Sequence, residues 1–152
     1  MTIAAIREVD LPRLALIHAA CFVRSWSAAE LGETLKSSGI IAFAADAGFV
    51  LARTASDEAE ILTLAVMPAA RRKGLGRSLV LEVAGQAFAR GARAMFLETG
   101  HDNAPARALY AGLGFVEVGT RASYYGPAED AIVLRARLPL QALGNSGAST
   151  RL

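Results

Sequence analysis

Apolar residues near the N-terminus follow a helical period in two short segments. The first segment carries them three or four positions apart, at Leu14, Ile17 and Cys21. Asp10 before this segment and Phe22 after it predict a capped amphipathic helix with those bounds. The tetrapeptide SAAE at 27–30 is a capping box, and it predicts a second short helix that Gly39 ends.

The period then changes to the alternation of β-strands. The segments IIAFAAD and GFVLART, which join around 46–48, predict a β-hairpin, and EAEILTLAV at 58–66 predicts a long third strand. Residues 2–7 can add a strand at the N-terminus.

Helical spacing of apolar residues returns after Gly76, and further strands and a helix follow this predicted helix. The apolar positions of this helix are Leu79, Val80, Val83, Ala84, Ala87 and Phe88. Gly91 stands where a helix C-cap belongs. The rest of the pattern predicts a strand, a helix and two strands, at 94–99, 104–112, 115–124 and 130–138.

The order of these elements predicts the fold class. It reads ααβββαβαββ when the N-terminal strand is set aside, which indicates an α/β protein with a mixed sheet and helices on both faces. Residues 1–140 are expected to form a single domain. The small and polar residues 141–152 are expected to form a flexible C-terminal tail.

The composition excludes several classes of protein. With 152 residues, of which 53% are hydrophobic and 20% charged, the chain can build a core without metal or disulfide support. No segment has the roughly 18 apolar residues of a membrane span, and no secretory leader is visible, so we expect a cytoplasmic protein without a membrane partner. A net charge of +2 does not favour direct nucleic-acid binding. Two histidines and one cysteine predict no metal site.

Positive charge is concentrated in one loop, RRKGLGR at 71–77. It lies between a predicted strand and a predicted helix, where glycines permit close backbone approach and helix N–H groups attract an anion, so it favours a phosphate ligand. A P-loop requires Lys and Ser or Thr after its last glycine, where this chain has Arg77, and a dinucleotide fingerprint requires glycine where it has Leu79. A solvated surface turn is the other interpretation.

The surrounding segments resemble the GNAT N-acetyltransferases. In that family the motif R-x-x-G-x-G binds the pyrophosphate of acetyl-CoA, and the matching residues here are Arg71, Gly74 and Gly76. The later residues Glu98 and Asn103 and the segment ALYAGLGF also match the family. RASYY and EDAIVL resemble the RimI branch, which acetylates the N-terminal alanine of a small-subunit ribosomal protein. The resemblance covers about residues 2–138. It implies the GNAT acyl-CoA N-acyltransferase fold and direct attack of a neutral amine on acetyl-CoA in a ternary complex.

The resemblance also assigns the coenzyme-binding residues. Main-chain groups of Leu64, Ala65 and Val66 would pair with the pantetheine arm as a strand would. The pyrophosphate would be wrapped by Arg71, Arg72, Lys73, Gly74, Leu75, Gly76 and Arg77. Asn103 would bind the coenzyme, cap the following helix, or do both.

Two residues carry the chemistry by the same resemblance. Glu98 would accept the amine proton through a water molecule, and Tyr110 would protonate the departing thiolate. An α-ammonium group has a pKa of about 7.8 and a carboxylic acid of about 4.3, so proton transfer is uphill by roughly 5 kcal/mol, against roughly 8 kcal/mol for lysine. An ordinary carboxylate therefore suits an N-terminal amine better than a lysine. His101 is a competing base, although a solvated loop histidine is the favoured interpretation.

The acceptor side is less defined. Trp26, Tyr124 and Tyr125 would line the acceptor groove by the resemblance. The chain departs from the branch at Ser25, where proline is usual, and at 99–100, where Val-Arg is usual. A GNAT enzyme for a small amine or another protein, and a non-catalytic acyl-CoA sensor, therefore stay open. His18 is expected to be a packing or surface residue, and Cys21 a small core residue without an activating partner.

Overall fold

The computed structural model describes residues 2–121 and 130–141, which form a seven-stranded sheet flanked by α-helices. The strands are β1 (Ala4–Ala5), β2 (Ile40–Ala45), β3 (Gly48–Ala55), β4 (Glu58–Val66), β5 (Ala94–Gly100), β6 (Val116–Arg121) and β7 (Ala131–Arg137). The helices are α1 (Leu11–Cys21), α2 (Ala28–Leu35), α3 (Leu75–Ala89) and α4 (Ala104–Gly112). The order predicted from the sequence is confirmed, including the N-terminal strand. The tail beyond 141 lies outside the described residues.

The first two helices begin at the predicted residues but differ in detail. Asp10 occupies the N-cap of α1, yet its carboxylate accepts the Arg7 N–H at 2.8 Å rather than a helix N–H. Pro12 contributes to this difference, because it removes one of the N–H groups that the cap would accept. The capping box of α2 is confirmed, since Ser27 Oγ accepts the Glu30 N–H and Glu30 Oε1 accepts the Ser27 N–H.

The predicted end of α2 at Gly39 is wrong. The helix ends at Leu35, and Gly39 lies in the turn into β2 with a φ of +80°. A Cβ atom at this position would collide with the carbonyl oxygen of Thr54. The glycine is therefore required by the close approach of this turn to β3, not by the end of the helix.

The sheet is mixed and opens between its central strand, β4, and the neighbouring strand β5. The strand order is β1-β2-β3-β4-β5-β7-β6, and every neighbouring pair is antiparallel except β4 and β5. This parallel pair has only three matched positions, from Glu58 opposite Ala94 to Glu60 opposite Phe96. Beyond them β4 and β5 separate, which leaves one edge of each strand without a strand partner among the described residues.

A β-bulge in β4 lies at the start of the separated segment. Leu51 and Ala52 of β3 are opposite Thr63 and Ile61, so Leu62 is an extra residue. Before the bulge Ile61 packs into the core beneath α3, whereas after it Ala65 packs into the core beneath α1. A bulge bends the strand that carries it, so this irregularity is the local reason for the departure of β4 from β5.

Helices cover both faces of the sheet, as predicted. Leu79, Val80 and Val83 of α3 are fully buried against one face, and Leu14 of α1 with Leu31 of α2 is buried against the other. Phe88 is an exception to the predicted apolar positions of α3. Its ring is 37% exposed, and the Arg93 guanidinium lies 4.8 Å from the ring centroid. Among the described helices none is both long and apolar enough to cross a bilayer.

Candidate active site

The separation of β4 from β5 places three predicted segments at one point. A Cβ atom added to Gly76, in the first turn of α3, would lie 3.5 Å from the Leu109 side chain of α4. It would also lie 3.8 Å from the side chains of Leu64 and Val66 in the separated part of β4. The start of α3, the end of β4 and the middle of α4 therefore share one wall of the opening.

The loop before α3 presents a row of free backbone donors. Arg72 and Gly74 have φ values of +65° and +87°. None of the N–H groups from Arg72 to Arg77 donates a hydrogen bond to a described residue, and the first helical bond of α3 is donated by Ser78. Successive free N–H groups in such a turn form an anion-binding concavity at the positive end of the helix dipole.

Three side chains of the same loop add positive charge. Arg72 and Lys73 are exposed and Arg77 is partly exposed. Within the described part of the chain none of the three forms an ion pair with a carboxylate. Their charge is therefore available to an anionic ligand.

Arg71, the first residue of the motif, has a different environment. Its Nε donates to the Val66 carbonyl at 3.0 Å, and its guanidinium lies 3.5 Å from Cys21 Sγ. The Cys21 thiol donates to the same carbonyl at 3.3 Å. Arg71 and Cys21 thus tie the loop and the end of α1 to the end of β4. Cys21 is only partly buried, and the sequence alone did not indicate its contact with Arg71.

Glu98 lies on β5 two residues beyond the last position paired with β4. Its side chain is 19% exposed, and Oε2 lies 2.8 Å from a guanidinium nitrogen of Arg121 at the end of β6. One carboxylate oxygen is therefore held by an ion pair, and Oε1 is left for another partner. Sequence reasoning included Arg121 in RASYY but assigned it no role, because a contact between β5 and β6 depends on the strand order.

Tyr110 lies on α4 directly after Leu109 and is 5% exposed. Its ring packs edge-on against Phe115, with 5.3 Å between the ring centroids. Its hydroxyl forms no hydrogen bond with a described residue, and burial raises the pKa of Tyr110 well above that of a free phenol. The hydroxyl is therefore protonated and able to donate at any physiological pH.

The loop between β5 and α4 contains Asn103 and His101, for each of which the sequence left two interpretations open. Asn103 is the N-cap of α4, since its Oδ1 accepts the Ala106 N–H at 3.1 Å. His101 is exposed, and its Nδ1 lies 3.1 Å from Asp102 Oδ1, as expected for a solvated loop histidine. The described residues contain no group of three or more side chains placed to hold a metal ion.

The predicted acceptor groove is described only in part. Trp26 lies between α1 and α2 and borders a surface cavity of about 420 Å³, whose other lining residues are Ala29, Glu30, Glu33 and Thr34. Tyr124 and Tyr125 lie outside the described residues. Trp26 stacks on His18, with ring centroids 5.2 Å apart. His18 is buried rather than on the surface.

The buried histidine predicts a pH dependence of stability. Burial lowers the pKa of His18 below 6.5, with Glu30 acting in the opposite direction, while the rings of Phe22, Trp26 and Phe49 around it are uncharged. The unfolded chain therefore takes up a proton at higher pH than the folded protein, and the free energy of unfolding should fall as the pH drops below about 6.5. Urea unfolding at about pH 7.5 and about pH 5.5 measures this loss. The loss should be smaller in His18→Gln, and an equal loss in both proteins would contradict the prediction.

Comparison with known proteins identifies the family. The profile of the acetyltransferase (GNAT) family matches residues 11–115. The chain belongs to the GNAT family of acetyltransferases. It is 33% identical over 140 residues to the ribosomal protein bS18-alanine N-acetyltransferase of Escherichia coli K12, which covers 88% of this chain and 95% of that protein. It is also 35% identical over 136 residues to the N-alpha-acetyltransferase RimI of Mycobacterium tuberculosis. This match covers 82% of this chain and 84% of that protein.

Solved structures agree with this assignment to the GNAT family. A crystal structure of the ribosomal-protein-S18-alanine N-acetyltransferase from Escherichia coli superposes with a TM-score of 0.80 at 30% identity, covering 90% of this chain and 92% of that one. Arabidopsis thaliana NAA60 in complex with acetyl-CoA gives a TM-score of 0.80 at 22% identity, covering 90% and 98%, which supports the fold alone. The chain is therefore a RimI-like, acetyl-CoA-dependent N-acetyltransferase with the GNAT fold.

Proposed function

We propose that this enzyme transfers the acetyl group of acetyl-CoA to the α-amine of a protein N-terminus, namely the N-terminal alanine of a small-subunit ribosomal protein. The observation that carries the proposal is the position of Glu98, a partly exposed carboxylate on β5 beyond the last position paired with β4. The choice of acceptor is supported by relatives at 33% and 35% identity whose names specify ribosomal protein bS18 alanine and an N-α-acetyltransferase.

The loop at 71–77 fits the pyrophosphate of the coenzyme. Gly74 has a positive φ, and a Cβ atom added to it would have no neighbouring atom within 4 Å, so only its backbone conformation requires glycine. Gly76 has neither a positive φ nor a steric conflict, so the folding of the chain does not by itself explain a glycine in the first turn of a helix. A ligand that approaches this backbone closely accounts for the glycine at position 76, the free N–H groups and the unpaired charges.

The pantetheine arm is assigned to the free edge of β4. Main-chain groups at 64–66 can pair with its amides as a strand would. Ala65 lies opposite Phe49 and Met67 N–H donates to the Ala47 carbonyl, so the main-chain groups of Ala65 face β3. The carbonyl of Val66 is already shared by Arg71 and Cys21, so the main-chain groups of Leu64 and the N–H of Val66 are the better candidates. Asn103 can cap α4 through Oδ1 and still offer its amide nitrogen to the ligand.

Acetyl-CoA supplies an activated thioester, and the chain supplies the proton transfers. Glu98 Oε1 accepts the proton of the incoming amine through a water molecule, while Arg121 holds Oε2 and fixes the direction of the carboxylate. Tyr110 donates a proton to the coenzyme sulfur when it leaves. Arg121 also places a positive charge beside the acceptor amine, which favours the neutral and reactive form of that amine.

An assay of thiol release tests this function with three acceptors. The first is a peptide that begins with Ala-Arg, the second is the same peptide with a blocked α-amine and an internal lysine, and the third is a small primary amine. Turnover of the free N-terminus alone is expected. Turnover of the small amine alone would indicate a different acceptor, and coenzyme binding without any turnover would indicate a sensor.

A paired glycine substitution tests the coenzyme loop. Gly74 and Gly91 lie at opposite ends of α3, both have positive φ, and neither has an atom within 4 Å of an added Cβ. Alanine at either position should cost about 1–2 kcal/mol of stability from the left-handed backbone alone. Only Gly74→Ala should also raise the KM for acetyl-CoA, by about tenfold or more, because its methyl group would face the pyrophosphate. Equal KM values in the two variants would contradict the assignment of the loop.

A further inference from the structure

The single tryptophan of the chain is held by a buried histidine. The backbone N–H of Trp26 donates to His18 Nδ1 at 3.0 Å, and His18 Nε2 lies 3.1 Å from Thr63 Oγ1. Because Nδ1 accepts this bond, the neutral ring carries its hydrogen on Nε2, which therefore donates to Thr63. The ring is 3% exposed, so a backbone N–H that lost this acceptor would have no ready replacement.

These bonds connect the chain between the first two helices to the centre of the sheet. Thr63 follows the bulge residue Leu62 and directly precedes the 64–66 segment. At the other end of the same connection, Cys21 closes α1 and donates to the Val66 carbonyl. The connection at 22–27 is therefore fastened to the part of β4 that borders the opening.

We propose that His18 is a positioning residue for the acyl acceptor. Through its Nδ1 it holds the 22–27 connection, and Trp26 in particular, at the side of the opening assigned to the amine. The inference rests on the proposed function, since that function places the acceptor beside Trp26. Within the described part of the chain, the hydrogen bonds and ring contacts of His18 do not involve the 71–77 loop, so its effect should fall on the acceptor and not on acetyl-CoA.

Two substitutions separate the two hydrogen bonds of the ring. Asparagine places its amide near the position of Nδ1 and can still accept the Trp26 N–H, but it does not reach Thr63. Glutamine places its amide near the position of Nε2 and can still bond Thr63, but it leaves the Trp26 N–H without an acceptor. Thr63→Val removes the hydroxyl and leaves the Trp26 bond in place.

The first readout is whether the KM for the peptide changes while kcat and the KM for acetyl-CoA do not. In His18→Gln the KM for the peptide acceptor should rise about tenfold, which corresponds to about 1.4 kcal/mol. The kcat and the KM for acetyl-CoA should stay within about twofold. In His18→Asn and Thr63→Val the peptide KM should stay within about threefold. Equal increases in all three variants, in proportion to their losses of Tm, would show a structural role and overturn the proposal.

Trp26 provides a second readout that needs no acceptor. Since it is the only tryptophan, acrylamide quenching of the protein's tryptophan fluorescence reports on the 22–27 connection alone. Quenching should increase in His18→Gln and match the wild type in His18→Asn. Unchanged quenching in His18→Gln would overturn the proposal. Failure of the wild type to acetylate the peptide would count against the proposed function, and the quenching comparison would still decide whether His18 holds Trp26.

Discussion

Glu98→Gln is expected to lower kcat for the peptide acceptor by about 10²- to 10⁴-fold, the usual contribution of a positioned general base. Glutamine has the shape of glutamate and can still accept a hydrogen bond from Arg121, but it cannot take up the amine proton. The KM for acetyl-CoA should change little, because the residues proposed to bind the coenzyme lie in β4 and at the starts of α3 and α4. Steady-state kinetics with each substrate varied in turn measures both effects.

A second strand carboxylate provides the control for this substitution. Glu60 lies on β4 opposite Phe96, before the strands separate, and it is exposed. Glu60→Gln should retain full activity. Both variants should keep nearly the stability of the wild type, since an ion pair with a half-exposed arginine contributes only about 0–1 kcal/mol. Wild-type kcat in Glu98→Gln would exclude Glu98 as the base.

Tyr110→Phe is expected to lower kcat by about 10²-fold, the lower end of the range for general acid catalysis. The substitution keeps the buried ring against Phe115 and removes only the hydroxyl. Since that hydroxyl forms no hydrogen bond with a described residue, the free energy of unfolding should change by less than about 1 kcal/mol. Burial raises the pKa of Tyr110, so no alkaline loss of activity near pH 10 should come from its ionisation.

A change on the other ring of the pair serves as the control. Phe115→Leu alters the same aromatic contact and leaves the Tyr110 hydroxyl in place. It should destabilise the protein by about 1 kcal/mol while most of kcat is retained. If Tyr110→Phe instead loses stability and keeps kcat, Tyr110 is a packing residue and another group protonates the thiolate.

Local patterns accounted for most of the elements. The capping box of α2, the C-cap glycine of α3 and the alternation in β2 to β4 each depend on neighbouring residues, and each was predicted with bounds close to those observed. Gly39 was misassigned because a glycine after a helix can end that helix or permit a close contact elsewhere. Its contact is with Thr54, which is close to it only after β2 and β3 have paired.

The sequence by itself determined the order of the elements, the position of the cationic loop between a strand and a helix, and the resemblance to the GNAT family. Each of these depends on composition and on spacing along the chain. Only the tertiary structure decided that β4 leaves β5 after three pairs, that Arg121 holds Glu98, and that His18 joins Trp26 to Thr63. The physical reason is that these contacts join strands and helices that are distant in sequence, so they exist only after the sheet has set its strand order and the bulge has turned β4.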